Sequence, residues 1–388
     1  MGVEQRQSAL APNDALRLHV LLNEEPRAIR IDESSLTLYA ITEKGEASIQ
    51  LHPDDRNDRY LKRVRERLSE YALGSPHGYP VFMQRWTRMG QTRDQNLAKL
   101  LLLGEPEAVS AVVHAPGLTS SLAELAWWAA PNADHARAML AQPEIARSET
   151  GASMRDFLRE FLPFEQHSLA VIQSVAAIIG DPSLTDAERD SLWRKGQRNS
   201  AYLAGFLAAQ SWVLPDAKAH PCLDILEPTS EENGRGEDSW LIKGLRASWS
   251  AQGQYRLATL ARALKSARDQ EVVISLIDSH EAWTKVFRPT HPAVRTSAGL
   301  EEKIHQQLNS SDGTSFQQWL GVNQLNADLA WGITCLAEIG EPMLATIFGQ
   351  TDAVGSVMRK RLTPLVEPLD KAIVILTEEE SCTALSRG

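Results

Sequence analysis

Between Ala28 and Leu51, apolar and polar positions alternate. Leu36, Leu38 and Ala40 stand beside polar neighbours, and the alternation resumes at Ala47, Ile49 and Leu51 after Glu43-Lys44-Gly45-Glu46. A period of two, interrupted by a glycine-containing turn, predicts a β-hairpin. The period then lengthens. Leu61, Val64, Leu68 and Tyr71 recur at helical spacing and predict an amphipathic helix, ended by the breaker run Gly74-Ser75-Pro76-His77-Gly78. Val81, Phe82 and Met83 read as a short strand. These elements predict an N-terminal α+β module over residues 1–93.

Beyond Arg93 the pattern is helical. Capping boxes are expected at Ser121 with Glu124, Ser153 with Asp156, and Thr185 with Glu188, each placing a hydroxyl and a carboxylate over the free N–H groups of a first turn. One junction recurs as Leu103-Gly104-Glu105-Pro106, Ile179-Gly180-Asp181-Pro182 and Ile339-Gly340-Glu341-Pro342. A left-handed glycine that ends one helix and a proline that opens the next would explain it. Pro106, Pro143, Pro182 and Pro221 follow one another at 37, 39 and 39 residues, close to the two-helix repeat of HEAT-type solenoids. The rhythm fails after Pro221, so an irregular helical array of α-solenoid type and a helical bundle both fit. Helices are expected over 94–213 and 239–388, the second with a stripe of Leu325, Leu329, Gly332, Leu336 and Ile339. A polar, breaker-rich surface linker is expected over 214–238, and residues after Glu380 are expected to fray. The predicted fold is mainly α with a small N-terminal α+β module.

Composition adds bounds. The 388 residues are 43% hydrophobic and 23% charged, with a formal charge of -10. A chain of this length buries a core without a disulfide or metal staple. No run approaches the length of uncharged apolar sequence that spans a bilayer. Glu4, Arg6 and Asp14 interrupt the position of a signal peptide's apolar stretch, so a cytoplasmic protein with no membrane partner is expected. The three cysteines, Cys222, Cys335 and Cys382, are widely spaced without a CxxC, which argues against a disulfide framework or a zinc knuckle.

Motifs of known chemistry are absent: no phosphate loop, no GxGxxG after a strand, no HExxH and no GxSxG. The ten histidines are scattered, none paired with another at i+3 or i+4, so no metal or other cofactor is expected. Cys222 lies in His220-Pro221-Cys222-Leu223-Asp224 and has two readings. The imidazole could lower the thiol pKa and create a reactive thiolate, or Pro221 could fix the chain so that Cys222 packs beside Leu223 and Ile225. Cys335 reads as a small core hydrophobe, and nothing near Cys382 activates it.

The densest cluster of binding groups is His77, Arg85, Trp86, Arg88 and Arg93. Residues 56–93 hold nine Lys or Arg against three Asp or Glu, a local charge of +6 that leaves -16 for the rest. A basic segment on an acidic chain steers anionic ligands or acidic partner surfaces, and arginine beside tryptophan suits stacking on a planar group. The bland alternative is a solvated helix face neutralised by Lys62–Glu66 and Arg67–Glu70. Nucleic acid is disfavoured, because its domains show a stronger basic balance. Of the ten tryptophans, Trp127 and Trp128 are adjacent and must face different directions on a helix.

Three stretches, AIRIDESSLTLY, GSPHGYPVFMQRWTRMGQTRD and LLLLGEPEAVSAVVHAPGLTSSLAELAWWAAPNADHARAML, with a looser continuation in LWRKGQRNSAYLAGFLAA at 192–209, resemble the DsrS family. Its members are soluble proteins encoded with the dissimilatory sulfite reductase system of sulfur-oxidising bacteria. The resemblance implies a cytoplasmic accessory role in the oxidation of stored sulfur and brings no catalytic residues with it. The expected function is therefore that of an accessory or regulatory protein that binds a protein component of the sulfur oxidation pathway, with no recognisable catalytic constellation. The alternatives are a sulfur-handling enzyme or persulfide carrier using Cys222 and, less favoured, a nucleic-acid-binding regulator.

Overall fold

A computed structural model of the protein describes residues 10–76, 94–181, 183–209, 217–226, 239–288, 290–349 and 353–378. The chain divides into two compact units, Met1–Phe161 and Leu162–Gly388. As the sequence predicts, helices dominate, with a small antiparallel sheet near the N-terminus.

The first unit opens with α1 (Pro12–Asn23), a helix the alternation does not reveal, started by a proline whose missing N–H costs nothing in the first turn. The strands β1 (Ala28–Asp32), β2 (Thr37–Thr42) and β3 (Gly45–Gln50) form a meander in the order β1-β2-β3. The predicted hairpin is β2–β3. Thr42 pairs with Gly45 across Glu43 and Lys44, and Gly45 takes a φ of 114° that a side chain would strain. Leu36 departs from the expected strand: it turns the chain between β1 and β2 at a φ of 53°.

The predicted helix is α2 (Asn57–Leu73), closed by Gly74 in the left-handed conformation. Its Leu61, Val64 and Leu68, with Leu18, Leu21 and Leu22 of α1, form one core with Ile29, Leu38, Ala40 and Ile49 of the sheet. Tyr71 stays partly exposed and donates its hydroxyl to the Leu22 carbonyl. The expected strand Val81–Met83 lies outside the described residues.

Among the described residues the unit has six further helices: α3 (Asp94–Leu100), α4 (Pro106–Val113), α5 (Ser120–Ala129), α6 (Ala133–Leu140), α7 (Pro143–Ala146) and α8 (Glu149–Phe161). At the sheet edge Ile29 donates its N–H to the Leu101 carbonyl just after α3, so the edge strand's amide is not left open. Side chains alternate across the sheet, so Arg30 and Tyr39 lie on the face opposite Ile29 and Leu38, where α5 packs on β1. Arg30 stands 4.8 Å from the ring centroids of both Tyr39 and Trp128, donates to the Trp128 carbonyl and pairs with Glu46. Trp127 points elsewhere, meeting Phe157 edge-on at 5.3 Å.

The second unit contains α9 (Ser168–Ile179), α10 (Asp186–Gly196), α11 (Ser200–Ala208), α12 (Trp240–Trp249), α13 (Ala251–Ser266), α14 (Gln270–Thr284), α15 (Ser297–Leu308), α16 (Ser311–Val322), α17 (Asp328–Glu338), α18 (Glu341–Phe348) and α19 (Gly355–Thr377). In a solenoid each repeat touches only its neighbours. Here α19 packs against α12, α13 and α17 together, closing this unit into a bundle. Helix α11 is its hub and touches α9, α13 and α14. The α9–α11 crossing is close at Gly205, where a Cβ would stand 2.6 Å from that of Val175. The predicted stripe of Leu325, Leu329, Gly332, Leu336 and Ile339 is buried throughout.

Local signals are realised unevenly. Thr185 and Glu188 form the expected capping box. Ser121 does not cap: Thr119 does, accepting the Leu122 N–H, and Ser121 lies inside α5. Ser153 lies inside α8 and receives the Trp127 indole N–H, because a hydroxyl three residues before a carboxylate also occurs within helices. The three Gly-acid-Pro junctions take three backbones. Gly104 is left-handed at 63°, Gly180 is right-handed at -69°, and Gly340 is extended at -170°. At Gly340 the need is space, since a Cβ would meet the Pro292 ring at 2.6 Å. Pro182 lies outside the described residues.

Candidate functional site

His77, Arg85, Trp86, Arg88 and Arg93, the candidate binding cluster, lie outside the described residues. The preceding part of the basic segment is described, and its charges are matched. Arg56 pairs with Asp58 at 4.0 Å, Arg59 with Asp55 at 3.9 Å and Lys62 with Glu66 at 4.0 Å. Arg63 pairs with Asp54 at 2.7 Å, Arg65 with Glu33 at 2.5 Å and Arg67 with Glu70 at 2.6 Å. Glu33, Asp54 and Asp55 stand before the window that gave +6, so counting along the sequence missed half of the neutralising carboxylates. The pairs are largely exposed and individually weak. Together they leave α2 a charge-matched helix.

Cys222 lies in the described part of the expected linker, residues 217–226. That stretch is more than a surface linker: His220, Cys222 and Leu226 are buried, and a 3-10 turn spans Leu223–Leu226. His220 fixes it in place. Its ring stacks on Trp249 with centroids 4.7 Å apart, the backbone N–H of His220 donates to the Trp249 carbonyl at 2.8 Å, and the ring's Nε2 meets the Glu378 carbonyl at 3.0 Å. Nδ1 accepts the backbone N–H of Cys222. With a carbonyl at Nε2 and an amide donor at Nδ1, the neutral Nε2–H tautomer satisfies both. The imidazole thus holds the cysteine's backbone, and Cys222 is 1% exposed and disulfide-bonded. A persulfide carrier requires a free, accessible thiolate, and Cys222 in this state is neither. Cys335 is a buried free thiol whose pKa burial pushes up, and its Sγ approaches the Pro368 carbonyl at 3.5 Å. Cys382 lies outside the described residues.

The second unit has a cleft of about 780 Å³ lined by helices α10 and α13, the residues Ala217 and Lys218, and the end of α19. Its floor is aromatic. Trp193 and Tyr255, each 5% exposed, approach at 5.5 Å between centroids. Phe206 meets Trp193 edge-on at 4.9 Å, and the Arg262 guanidinium lies 5.4 Å from the indole centroid. The rim is polar: Asp190, Arg194, Gln197, Lys218, Gln254 and Thr377. Gln254 is pinned, donating Nε2 to the carbonyls of Ser248 and Leu376. Arg194 donates Nε to the Asp190 carbonyl within its own helix. Burial pushes the Tyr255 phenol pKa up, against the opposing effect of Arg256, Thr259 and Arg262.

Behind this floor, polar side chains are spent on packing. Arg256 is 5% exposed and donates to the carbonyls of Leu207 and Ser279; burial lowers its pKa to about 10. His280, 2% exposed, contacts the Leu336 carbonyl through Nε2 at 2.9 Å, while Nδ1 has no partner among the described residues. Glu281 accepts from Arg288 and from the Glu341 N–H at the start of α18. Burial raises its pKa, but that amide and Arg288 outweigh the effect and hold it below the ordinary carboxylate range. Among the described residues no group of three His, Cys, Asp or Glu is placed to hold a metal ion, and no helix is long and apolar enough to cross a membrane.

Sequence reasoning missed the cleft. Trp193, Lys218 and Tyr255 are far apart along the chain and share no spacing; the local hint is the Trp193-Arg194-Lys195 run. No protein-family model, no curated protein and no solved structure matches the chain.

Proposed function

We propose that the protein is an accessory protein of dissimilatory sulfur oxidation that acts by binding a protein component of that pathway. The resemblance of three N-terminal stretches to the DsrS family supplies the context, and the use of buried polar groups supplies the physical support. Arg256, His280, Glu281 and Arg288 are engaged by helix carbonyls, a helix-start amide or one another. Such bonds fix helices relative to one another, which suits a rigid scaffold whose surfaces do the recognition. His220 supports the same reading, since it anchors Cys222's backbone.

The experiment is affinity purification of the tagged protein at low salt from sulfur-oxidising cells, beside cells grown without reduced sulfur. Enrichment of sulfite reductase components only in the first sample, together with slowed consumption of stored sulfur in a deletion strain, is the expected result. Normal sulfur consumption without the protein, and no pathway component retained, would remove the accessory role.

A further inference from the structure

We infer that Cys222 is bonded to Cys382, and that this disulfide is a thiol-sensitive latch tying the 217–226 stretch to the chain that follows α19. The inference stands apart from the accessory role, because it rests on the state of one cysteine and on what holds its neighbours.

The pairing follows first from the count. The chain has three cysteines; Cys222 is disulfide-bonded and Cys335 is a free, buried thiol, which leaves Cys382 as the partner within the chain. A second copy is a poor alternative, because it would have to reach a residue 1% exposed. The neighbours of the two cysteines are already joined. His220 accepts the Cys222 N–H at Nδ1, and its Nε2 meets the carbonyl of Glu378 at 3.0 Å. Only four residues separate Glu378 from Cys382, a reach of up to about 14 Å when extended. One imidazole thus brings together the two segments that the bond would cross-link.

The latch has a place to act. Ala217 and Lys218 line the cleft beside Thr377, and Gln254, also on the lining, holds the Leu376 carbonyl at 3.0 Å. The two segments therefore share one wall, and opening the bond leaves that wall to the hydrogen bonds of His220 and Gln254 alone. A core of this size needs no staple, and a single disulfide on such a chain suits a switch. The opening reaction is exchange with a low-molecular-weight thiol of the glutathione class. A thiolate attacks the sulfur on the Cys382 side, since that of Cys222 is enclosed; a mixed disulfide forms there, and Cys222 leaves as a thiolate and takes a proton. A second thiolate attacks the mixed disulfide and frees Cys382. Two small thiols are oxidised to one disulfide, and their two electrons reduce the protein's bond.

Peptide mapping and intact mass of the unreduced, alkylated full chain test the pairing. The expected result is a monomer with one linked peptide pair, Cys222 to Cys382, separated by dithiothreitol. A dimer linked through Cys222, a link to Cys335 or an alkylated Cys222 would overturn it. Hydrogen–deuterium exchange in oxidised and in millimolar reduced glutathione, without denaturant, tests the latch. Reduction should speed exchange of the amides of 222–226 and 376–378 at least tenfold, leave α9 and α11 unchanged, and lower the melting temperature by about 5–10 °C, since the bond closes a loop of about 160 residues. Cys382→Ser, which leaves buried Cys222 and the His220 contacts in place, should show the faster exchange in both buffers. A bond that survives reduced glutathione, exchange that does not change on reduction, or a glutathione response retained by Cys382→Ser would each remove the switch.

Discussion

The ring of His220 stacks on that of Trp249 with 8° between their planes, and its Nδ1 receives the N–H of Cys222 two residues on. One side chain therefore joins α12, the 217–226 stretch and the carbonyl of Glu378. His220→Ala removes a buried ring and two hydrogen bonds, leaving the Cys222 N–H and Glu378 carbonyl without this partner. It is expected to cost about 2–4 kcal/mol in urea unfolding. Cys222 and Cys335 should both resist iodoacetamide in the folded protein. In denaturant without reductant Cys335 should be alkylated and Cys222 should not, until dithiothreitol is added. Peptide mass spectrometry reads both outcomes.

Gly205 and Gly321 make opposite predictions from the same substitution. A Cβ at Gly205 would enter the α9–α11 crossing, 2.6 Å from the Val175 Cβ and 2.8 Å from the Ile172 carbonyl. Alanine there gains about 1 kcal/mol of helix propensity but forces apart two well-packed helices, so a net loss of about 1–3 kcal/mol is expected. At Gly321, near the end of α16, nothing lies within 4 Å of the added carbon. Gly321→Ala should be neutral or stabilise by up to about 1 kcal/mol. Thermal unfolding of the two single variants tests the contrast.

What was legible in the sequence follows how local the determining physics is. The β2–β3 hairpin and α2 were visible because each has one buried face, and so a clean period. Helix α1 was hidden because Leu16 and Val20 are exposed at 64% and 54% while Leu18, Leu21 and Leu22 are buried, which leaves apolar residues on both sides and no readable stripe. The Gly-acid-Pro junctions were correctly placed at helix boundaries, yet the role of each glycine depended on its neighbours: on the left-handed turn at Gly104, and on Pro292 at Gly340. Pairing of Arg65 with Glu33, and assembly of the cleft from Trp193, Lys218 and Tyr255, are tertiary events that no spacing records.

His280 gives the second unit a pH dependence whose sign is fixed. Burial lowers its pKa to about 4; the Leu336 carbonyl raises it, and the nearby charges of Arg256 and Arg288 lower it further. Unfolded, the ring titrates near its ordinary value of about 6.5. Between these values the unfolded chain holds the extra proton, so this contribution is intact above pH ~6.5 and declines as the pH falls toward ~4. The change across the window is about 3 kcal/mol from this residue. His280→Gln should flatten the corresponding part of the stability curve, measured by urea unfolding at pH 7, 6 and 5. A curve with undiminished slope would assign the dependence to other groups.

Asp14 gives the first unit a dependence of the same sign, lower on the pH scale. Its carboxylate is 1% exposed and accepts three bonds: from the His52 N–H at 2.7 Å, from the Tyr60 hydroxyl at 2.5 Å, and at the His52 ring at 3.2 Å. Burial raises the pKa, but these donors together hold it below the ordinary carboxylate value. The group therefore stabilises the fold above its unfolded pKa of about 3.9, and the contribution disappears as the pH falls through the lower folded value. Asp14→Asn keeps the shape but replaces one accepting oxygen with an N–H₂ that must face a donor. A loss of about 2–3 kcal/mol at pH 7 is expected. Tyr60→Phe removes one donor and leaves the carboxylate its His52 amide, so about 1–2 kcal/mol is expected. Because the two substitutions disrupt one hydrogen bond, the double variant should lose less than the sum of the singles. Additive losses would place Asp14's contribution at His52 alone.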